Sequence, residues 1–448
     1  GRYGGAAVEL ARGCPFRCAF CYESKGLATQ RRFPASLLAR ELEAFAQSGV
    51  EEVFVLDPTF NIDERHMAEA VGIFSRSGDG LRYYLELRGE LITARQAELL
   101  SRLDCTVQIG LQSADPAVMK LVDRPFDPAR FAARLRLLDE EGITWVLDLI
   151  YGLPGDTLSG LKKSLGYALS LGPNHLDVFR LAVLPGTALY DRRRQLGMVS
   201  DAKAPYLVRS NPSFSAEDLA AAGRLAEAVD IFYNNGRAVM WYRTVAAWLR
   251  TSTVGLIEQF AFWLETAHKS PGGATVPRDH EGIESLQTAF IQSLVTGASA
   301  PDTGNGQGRL QGASPLAGNK GSAGRRNDNA DRLAAALDLI RVSGAWTRAL
   351  AEGTPTRLNI GWDPEALLDD ASAGIEDFCD GNPPHAAVWV CQPGPDAPAS
   401  GGSARANPPA DPVPTATPGQ ARRAGWRLPC GVCRSMASDA AHKPTASG

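Results

Sequence analysis

The sequence predicts an α/β fold in which a parallel β-sheet is built from repeated strand–helix units. From Ala6 to about Thr187, short β-rich runs alternate with stretches of helical apolar spacing, in six repeats of roughly 30 residues each. Polar residues and Gly/Pro turns follow strand after strand, where parallel sheets and barrels carry their sites. This periodicity is compatible with a partial barrel and with an open, doubly wound sheet.

The individual elements follow from local spacing. Leu37, Leu38, Leu42 and Phe45, for example, recur at the helical period and predict a helix over 34–48. The predicted strands cover 8–10, 52–56, 81–87, 105–111, 144–150 and 176–184. The predicted helices cover 34–48, 67–75, 94–103, 128–141 and 158–170.

The chain divides into five predicted segments. Residues 1–200 form the α/β core, and 201–296 form a mostly helical extension with apolar and aromatic residues at helical spacing. Residues 297–329 are rich in Gly, Ala, Ser and Asn, which predicts a flexible linker. Residues 330–392 can form a small packed remnant, and the Pro/Ala/Gly/Ser bias of 393–448 predicts a disordered tail. Residue 1 is Gly rather than Met, which suggests that an upstream domain is missing from this sequence.

Composition excludes several classes of protein. Of 448 residues, 44% are hydrophobic and 21% charged, and the net charge of -4 gives no electrostatic case for nucleic acid or an anionic membrane. The most apolar late segment, 238–264, is interrupted by Arg243, Arg250 and Glu258, which favours a packed helix over a transmembrane one. Eight cysteines, three of them clustered, fit a reducing cytoplasm better than a secreted disulfide framework. We therefore expect a cytoplasmic protein.

The cluster of cysteines lies in the stretch E-L-A-R-G-C-P-F-R-C-A-F-C-Y, which places Cys14, Cys18 and Cys21 within eight residues. Three thiolates this close can converge on one metal centre, and they are one short of the four that close a zinc or cubane site. If the centre is a [4Fe-4S] cluster, three irons are held by the protein and the fourth can take a small molecule. A zinc knuckle with a distant fourth ligand and three incidental cysteines are the alternatives.

The spacing Cys-x3-Cys-x2-Cys resembles the cluster motif of the radical S-adenosylmethionine (SAM) enzymes. The flanking Arg12-Gly13 and Pro15-Phe16 resemble the branch that often carries a cobalamin-binding domain. The resemblance implies a partial (β/α)6 TIM-like barrel of the radical SAM type and a [4Fe-4S] cluster that cleaves SAM to a 5'-deoxyadenosyl radical. It also implies a reducing partner such as flavodoxin or ferredoxin. No Asp-x-His-x-x-Gly signature occurs, so cobalamin is expected only through a missing upstream domain.

Several positions match family contacts to the amino acid end and the adenine of SAM. Phe20 resembles the aromatic that packs against adenine, although it could simply fill the core. Asp57 and Thr59 occupy the segment that holds the methionine amino group, where the family often has Gly-Gly-Glu; a plain strand-end turn is the alternative. Arg124 matches a carboxylate-binding arginine, for which its planar guanidinium is suited, and a surface salt bridge is the alternative. Leu184 matches a strand residue that contacts adenine.

Other positions match contacts deeper in the barrel. Glu86 resembles a strand carboxylate that contacts SAM, although it could face solvent. Gln112, followed by Ser113, and Asp148 resemble the ribose-binding pair of the oxygen-independent coproporphyrinogen oxidases. Both would be costly to bury without partners. Gly152 and Pro154, in the turn G-L-P-G, resemble the backbone segment that approaches adenine, but such turns are also common punctuation.

The leading hypothesis is a radical SAM enzyme that modifies a small-molecule or unknown substrate by methyl transfer, ring formation or other C–H functionalisation. The alternatives are a non-catalytic iron–sulfur electron carrier or scaffold and a zinc-stabilised binding module. No catalytic residue beyond the cofactor contacts is assigned. Cys105 is predicted to be a small buried hydrophobe, and Cys430 and Cys433 an incidental pair in the tail.

Overall fold

The computed structural model describes residues 4–23, 29–78, 80–268, 276–296, 328–361, 386–390 and 432–434. Its centre is a sheet of six parallel strands that lie side by side in chain order. The strands are β1 (Gly5–Val8), β2 (Glu52–Val55), β3 (Arg82–Leu87), β4 (Cys105–Gln112), β5 (Thr144–Tyr151) and β6 (His175–Arg180).

The strand order separates the two folds that periodicity left open. A doubly wound sheet reverses its strand order at a switch point. Here each strand pairs with its neighbours in the chain, from β1 at one edge to β6 at the other. Because parallel crossovers share one hand, consecutive crossovers in one direction put their helices on one side of the sheet, as in a TIM barrel. The core is therefore a partial (β/α)6 barrel, as the resemblance to the radical SAM enzymes implied.

Helices follow the strands and cover their outer face. Asp63, Thr93 and Asp127 each accept hydrogen bonds from first-turn N–H groups, which determines where three of these helices begin. Pro116 opens a short helix that the sequence analysis did not predict. The helices are α1 (Ala35–Ser48), α2 (Glu64–Ser77), α3 (Ala94–Leu100), α4 (Pro116–Leu121), α5 (Pro128–Glu140), α6 (Leu158–Leu171) and α7 (Ala188–Arg192).

The helical extension packs directly against the barrel. One apolar core runs from Val8 to Ile360, so the predicted segment boundary at residue 200 falls inside it. A π-helical turn, Val229–Asn235, brings Asn234 to strand β6, where its side chain accepts from Leu176 N (2.9 Å) and donates to Leu176 O (3.0 Å). The helices of this part are α8 (Ala216–Ala228), α9 (Tyr242–Trp248), α10 (Thr253–His268), α11 (His280–Thr296) and α12 (Asp328–Glu352).

Short strands complete the described structure. Antiparallel pairs form between Ala11–Arg12 and Arg31–Arg32, and between Val199–Ser200 and Val208–Ser210. A separate three-stranded sheet joins Thr356–Ile360, Ala386–Val390 and Val432–Arg434, so the predicted disordered tail contributes a strand. The predicted linker up to residue 327, the remaining tail, and Cys379, Cys391 and Cys430 lie outside the described residues. No helix within the described ranges is long and apolar enough to cross a membrane.

The barrel has an open inner face, which we call the trough. Leu147 and Leu149 alternate with Asp148 on β5 and are fully buried on the helix side, so Asp148 points the other way. Paired residues of neighbouring parallel strands have side chains on the same face of the sheet. The register with Asp148 and its neighbours therefore identifies the other side chains that line the trough. These are Phe54 with Tyr84, Glu86 with Gln108, and Gly110 with Asp148 and Asp177.

Candidate functional site

The three clustered cysteines lie in the loop that leaves β1 at the carboxyl end of the sheet. Gly13, with φ +98°, makes a turn immediately before Cys14 that favours glycine. Cys21 N donates to Cys18 O (3.0 Å), which closes a tight turn between the second and third cysteines. Cys14 and Cys18 are 8% and 5% exposed. None of these three described cysteines forms a disulfide, so their thiols are available as ligands.

Cys18 lies in a positively charged environment that the sequence did not reveal. Arg88, just beyond β3, donates from Nη1 to Cys18 Sγ (3.6 Å), and Arg124 also interacts with this thiol. Burial and the neighbouring Arg88 lower the pKa of Arg124. Glu90 pairs with Arg88, and its carboxylate lies 3.9 Å from Arg124. The sulfur of Cys18 therefore lies beside positive charge, which suits a ligand of an anionic cluster.

The chemistry of these donors fits an iron–sulfur cluster. Among the described residues, no three His, Cys, Asp or Glu side chains are gathered as a finished metal site, so the structure itself gives no ligand geometry. Main-chain hydrogen bonds from Ala19 N to Val122 O (2.9 Å) and from Leu189 N to Ala19 O (2.7 Å) nevertheless tie the loop to the barrel. Buried thiols beside two guanidinium groups suit an anionic cluster with three thiolates. Cys14, Cys18 and Cys21 therefore stay the predicted ligands.

Asp57 and Thr59 lie against the cysteine loop at the end of β2. Asp57 is 1% exposed, and its Oδ1 accepts from Leu10 N (2.7 Å) and Ala11 N (3.1 Å), which ties β2 to the start of the loop. Its Oδ2 is buried with no hydrogen-bond partner in the described structure. Thr59 Oγ1 lies 4.0 Å from Cys14 Sγ and donates to Pro58 O (2.6 Å). Asp57 is thus a brace for the loop, and contact of either residue with SAM stays a prediction.

We expect Asp57→Asn to gain stability relative to the wild type as the pH rises. Burial raises the pKa of Asp57 from 3.8 to about 6 in the folded protein. The folded state therefore binds more protons than the unfolded state, so the stabilisation by this carboxyl is complete below pH 3.8 and is lost as the pH rises through about 6. Asparagine does not titrate. Between about pH 5 and pH 8 the relative gain should be about 1–1.5 kcal/mol, measured by urea unfolding. An equal stability difference at both pH values would contradict it.

Gln112 ends β4 in an unusual backbone conformation. Its φ is +68°, a left-handed value that a non-glycine residue holds only when the surroundings enforce it. The side chain folds back over Gly110, where an added Cβ would lie 2.1 Å from Gln112 Nε2. Arg124 Nη2 donates to Gly110 O (2.5 Å), so both residues meet over this glycine. Ser113, in contrast, is 1% exposed and contacts Ser164 Oγ at 3.4 Å, and its role in binding SAM stays a prediction.

Asp148 and Glu86 lie in the trough, and their contact with SAM stays a prediction. Gln108 Nε2 donates to both carboxylate oxygens of Asp148 (3.0 and 3.1 Å). Desolvation raises the pKa of Asp148 to about 7, with further contributions from Asp177 and Glu86, and the bond from Gln108 opposes the shift. Glu86 is more than a third exposed, and desolvation raises its pKa as well. Sequence reasoning missed Gln108, although its position two residues before Gly110 places it on the same strand face.

The remaining predicted SAM contacts are buried or half-buried, and packing contacts are evident for Gly152 and Phe20. Gly152 has φ +85°, and an added Cβ would lie 2.7 Å from Val208 Cγ1, so this glycine permits close packing of the extension. Phe20 is half-buried against the core, Pro154 is buried, and Leu184 is half-buried. This packing alone accounts for a glycine at position 152, and no ligand is needed to explain it. Contact of these four residues with SAM stays a prediction.

Comparison with known proteins gives a family for the barrel. Residues 8–168 match the family model described as the Radical SAM superfamily. The chain is 29% identical over 237 residues to the cobalamin-dependent radical SAM methyltransferase TokK of Streptomyces tokunonensis. This alignment covers 47% of this chain and 33% of TokK. It is 41% identical over 90 residues to the heme chaperone HemW of Mycobacterium tuberculosis, covering 20% of this chain and 23% of that protein. The matches thus span a third or less of these relatives' own length.

Among solved structures, the radical SAM methyltransferase TsrM from Kitasatospora setae aligns with a TM-score of 0.41 at 18% identity, covering 45% of this chain and 42% of that chain. The family model covers the cysteine loop and strands β2 to β5. It confirms the resemblance predicted from Cys-x3-Cys-x2-Cys. Over residues 8–168, the chain matches the radical SAM superfamily of enzymes.

Proposed function

We propose that the protein uses a [4Fe-4S] cluster on Cys14, Cys18 and Cys21 to cleave SAM and then modifies a substrate by methyl transfer, ring formation or another C–H functionalisation. The observation that carries the proposal is the placement of the cysteine loop, Arg124 and Asp148 around one end of one barrel. A non-catalytic electron carrier would not need the SAM-contact positions beyond the cysteines. Of the reactions named, methyl transfer is supported by the similarity of this chain to the methyltransferase TokK.

The residues of the chain would bind and orient SAM. When bound, the reduced cluster supplies the electron that breaks the carbon–sulfur bond of SAM and yields a 5'-deoxyadenosyl radical. Arg124 would place a positive charge beside Cys18, where the SAM carboxylate is expected. Asp148, oriented by Gln108, and Gln112 would accept or donate hydrogen bonds to the ribose hydroxyls.

The trough offers apolar walls for adenine and substrate. Phe54 and Tyr84 stack with ring centroids 4.6 Å apart, and Phe54 remains 43% exposed. Phe179, on β6, is 49% exposed. Exposed aromatic rings inside a concave face give a ligand a surface for stacking. A flavodoxin or ferredoxin would supply the electron. Cobalamin is not assigned to any residue of this chain, because the sequence lacks the Asp-x-His-x-x-Gly signature.

The test is reductive cleavage of SAM. The protein is reconstituted anaerobically with iron and sulfide, reduced with dithionite in the presence of SAM, and assayed for 5'-deoxyadenosine and methionine. We expect both products in equal amounts, because one bond cleavage releases one of each after hydrogen transfer. An intact cluster with neither product would instead support the electron-carrier alternative. A protein that binds zinc but no iron would contradict the assignment of the cofactor.

A matched glycine pair tests the SAM site without removing a cluster ligand. In Gly110→Ala the new Cβ would displace the flexible amide of Gln112, so SAM affinity should fall about ten-fold, the value of one good hydrogen bond, while the fold is retained. In the control Gly223→Ala, on α8, the new Cβ would meet only Tyr151 Oη at 3.5 Å. SAM binding by equilibrium dialysis should be unchanged there. Equal SAM affinity in both variants would contradict the placement of SAM beside Gln112.

A further inference from the structure

Arg88 is held more firmly than a surface arginine and was not a predicted site residue. Its main chain is clamped by Asn61: Arg88 N donates to Asn61 Oδ1 (3.0 Å), and Asn61 Nδ2 donates to Arg88 O (3.1 Å). Its guanidinium pairs with Glu90 and lies 3.8 Å from the centre of the Phe16 ring. Arg88 is 7% exposed and Asn61 1%. Backbone and side chain are therefore both fixed.

This fixed guanidinium is directed at a predicted cluster ligand. Nη1 of Arg88 lies 3.6 Å from Cys18 Sγ, while Nε of the same group is bound to Glu90 Oε1 at 2.8 Å. Phe16 belongs to the cysteine loop itself, two residues after Cys14, so the cation–π contact ties the loop to β3. The arrangement connects the end of β3 to Cys18 through a single positively charged side chain.

We propose that Arg88 is a positioning residue of the cluster, which holds Cys18 Sγ by an N–H···S hydrogen bond and raises the reduction potential of the bound [4Fe-4S] centre. The inference rests on the proposed function, since it requires Cys18 to be a ligand. Reduction adds one electron to a cluster that is already anionic with three thiolates. A buried cation and a hydrogen bond to a ligand sulfur stabilise the reduced form more than the oxidised form. Removal of Arg88 should thus make the cluster harder to reduce.

The test is a potentiometric titration of the reconstituted protein, monitored by electron paramagnetic resonance without SAM. We expect Arg88→Met to retain iron and to shift the midpoint potential to a more negative value. The control is Arg82→Met on β3, the strand that Arg88 follows, because Arg82 pairs with the exposed Asp104 at 3.3 Å. The control should leave the midpoint unchanged. A midpoint in Arg88→Met equal to that of the wild type, at full iron content, would overturn the proposal.

Two further comparisons keep the result decisive. If Arg88→Met folds but loses its iron, Arg88→Gln decides, because its amide keeps a neutral N–H donor and loses the positive charge. A glutamine variant with full iron and a wild-type midpoint potential would overturn the proposal; a midpoint shifted to a more negative value would support it. Failure of the proposed function can be distinguished from failure of the role proposed for Arg88. A wild-type cluster that never cleaves SAM contradicts that function, whereas an unshifted midpoint in an active enzyme contradicts only the role of Arg88.

Discussion

Cys18→Ala is expected to abolish cluster assembly and, with it, all SAM cleavage. Two thiolates remain in this variant, Cys14 and Cys21, and they cannot hold three irons of a cubane. The substitution also removes the acceptor from Arg88 Nη1 and leaves Arg124 without this neighbour. Loss of a buried partner of a charged donor costs about 1–3 kcal/mol, so the variant should fold with reduced stability. Iron and sulfide per chain, together with 5'-deoxyadenosine production, are the measurements.

Cys105→Ala is the matched control, because Cys105 is also a buried cysteine but lies away from the loop. It begins β4, is 8% exposed, and its Sγ contacts Leu100 O at 3.7 Å. Burial raises the pKa of its thiol to about 12, so it is protonated and unsuited to bind metal. This variant should retain its iron and its activity. A full iron complement in Cys18→Ala would show that the ligand assignment is wrong.

Asn234→Leu is expected to destabilise the whole barrel by about 2–6 kcal/mol. Asn234 is 8% exposed, and its amide satisfies both main-chain groups of Leu176 on the edge strand β6. Leucine would leave that N–H and that C=O buried without partners, at about 1–3 kcal/mol each. Urea unfolding followed by circular dichroism measures the loss. Because Leu176 belongs to the sheet and Asn234 to the extension, a single cooperative transition should be retained.

The adjacent residue is the control. Asn235 lies in the same π-helical turn, but it is exposed and bonds only to Asp230 Oδ2 at 3.3 Å among the contacts described. Asn235→Leu should therefore change stability by less than about 0.5 kcal/mol, as for most surface substitutions. Equal destabilisation in the two variants would mean that the amide of Asn234 does not cap the edge of the sheet.

Local sequence patterns predicted most of the barrel. The predicted and observed bounds of strands β2, β3, β4 and β5 differ by at most one residue at each end, because each strand alternates buried apolar residues with less buried ones over a short stretch. The sixth strand ends at Arg180 rather than at 184, because the next residues bond to the segment at 206–208: Val208 N donates to Leu181 O (2.9 Å) and Val183 N to Tyr206 O (2.8 Å). The strand Val432–Arg434 was missed because it has no pattern of its own and forms only by pairing with Ala386–Val390.

The candidate site was only partly predictable. Cys14, Cys18 and Cys21 are close in the chain, so their spacing alone indicated a shared ligand role. Arg88 and Gln108 are distant in sequence from the groups they orient, Cys18 and Asp148, and neither belongs to a recognisable motif. Asp57 was predicted as a SAM contact, and only the structure shows that its Oδ1 braces the cysteine loop.

The sequence by itself determined the strand–helix repeat, the cysteine motif and the family, because each of these depends on residues within one short stretch or on a regular period. The tertiary structure alone decided that the strands follow chain order, that Asn234 closes the β6 edge, and that Arg88 contacts Cys18. The two side-chain contacts join residues 58 and 70 positions apart, and such contacts depend on how the units pack rather than on any local preference.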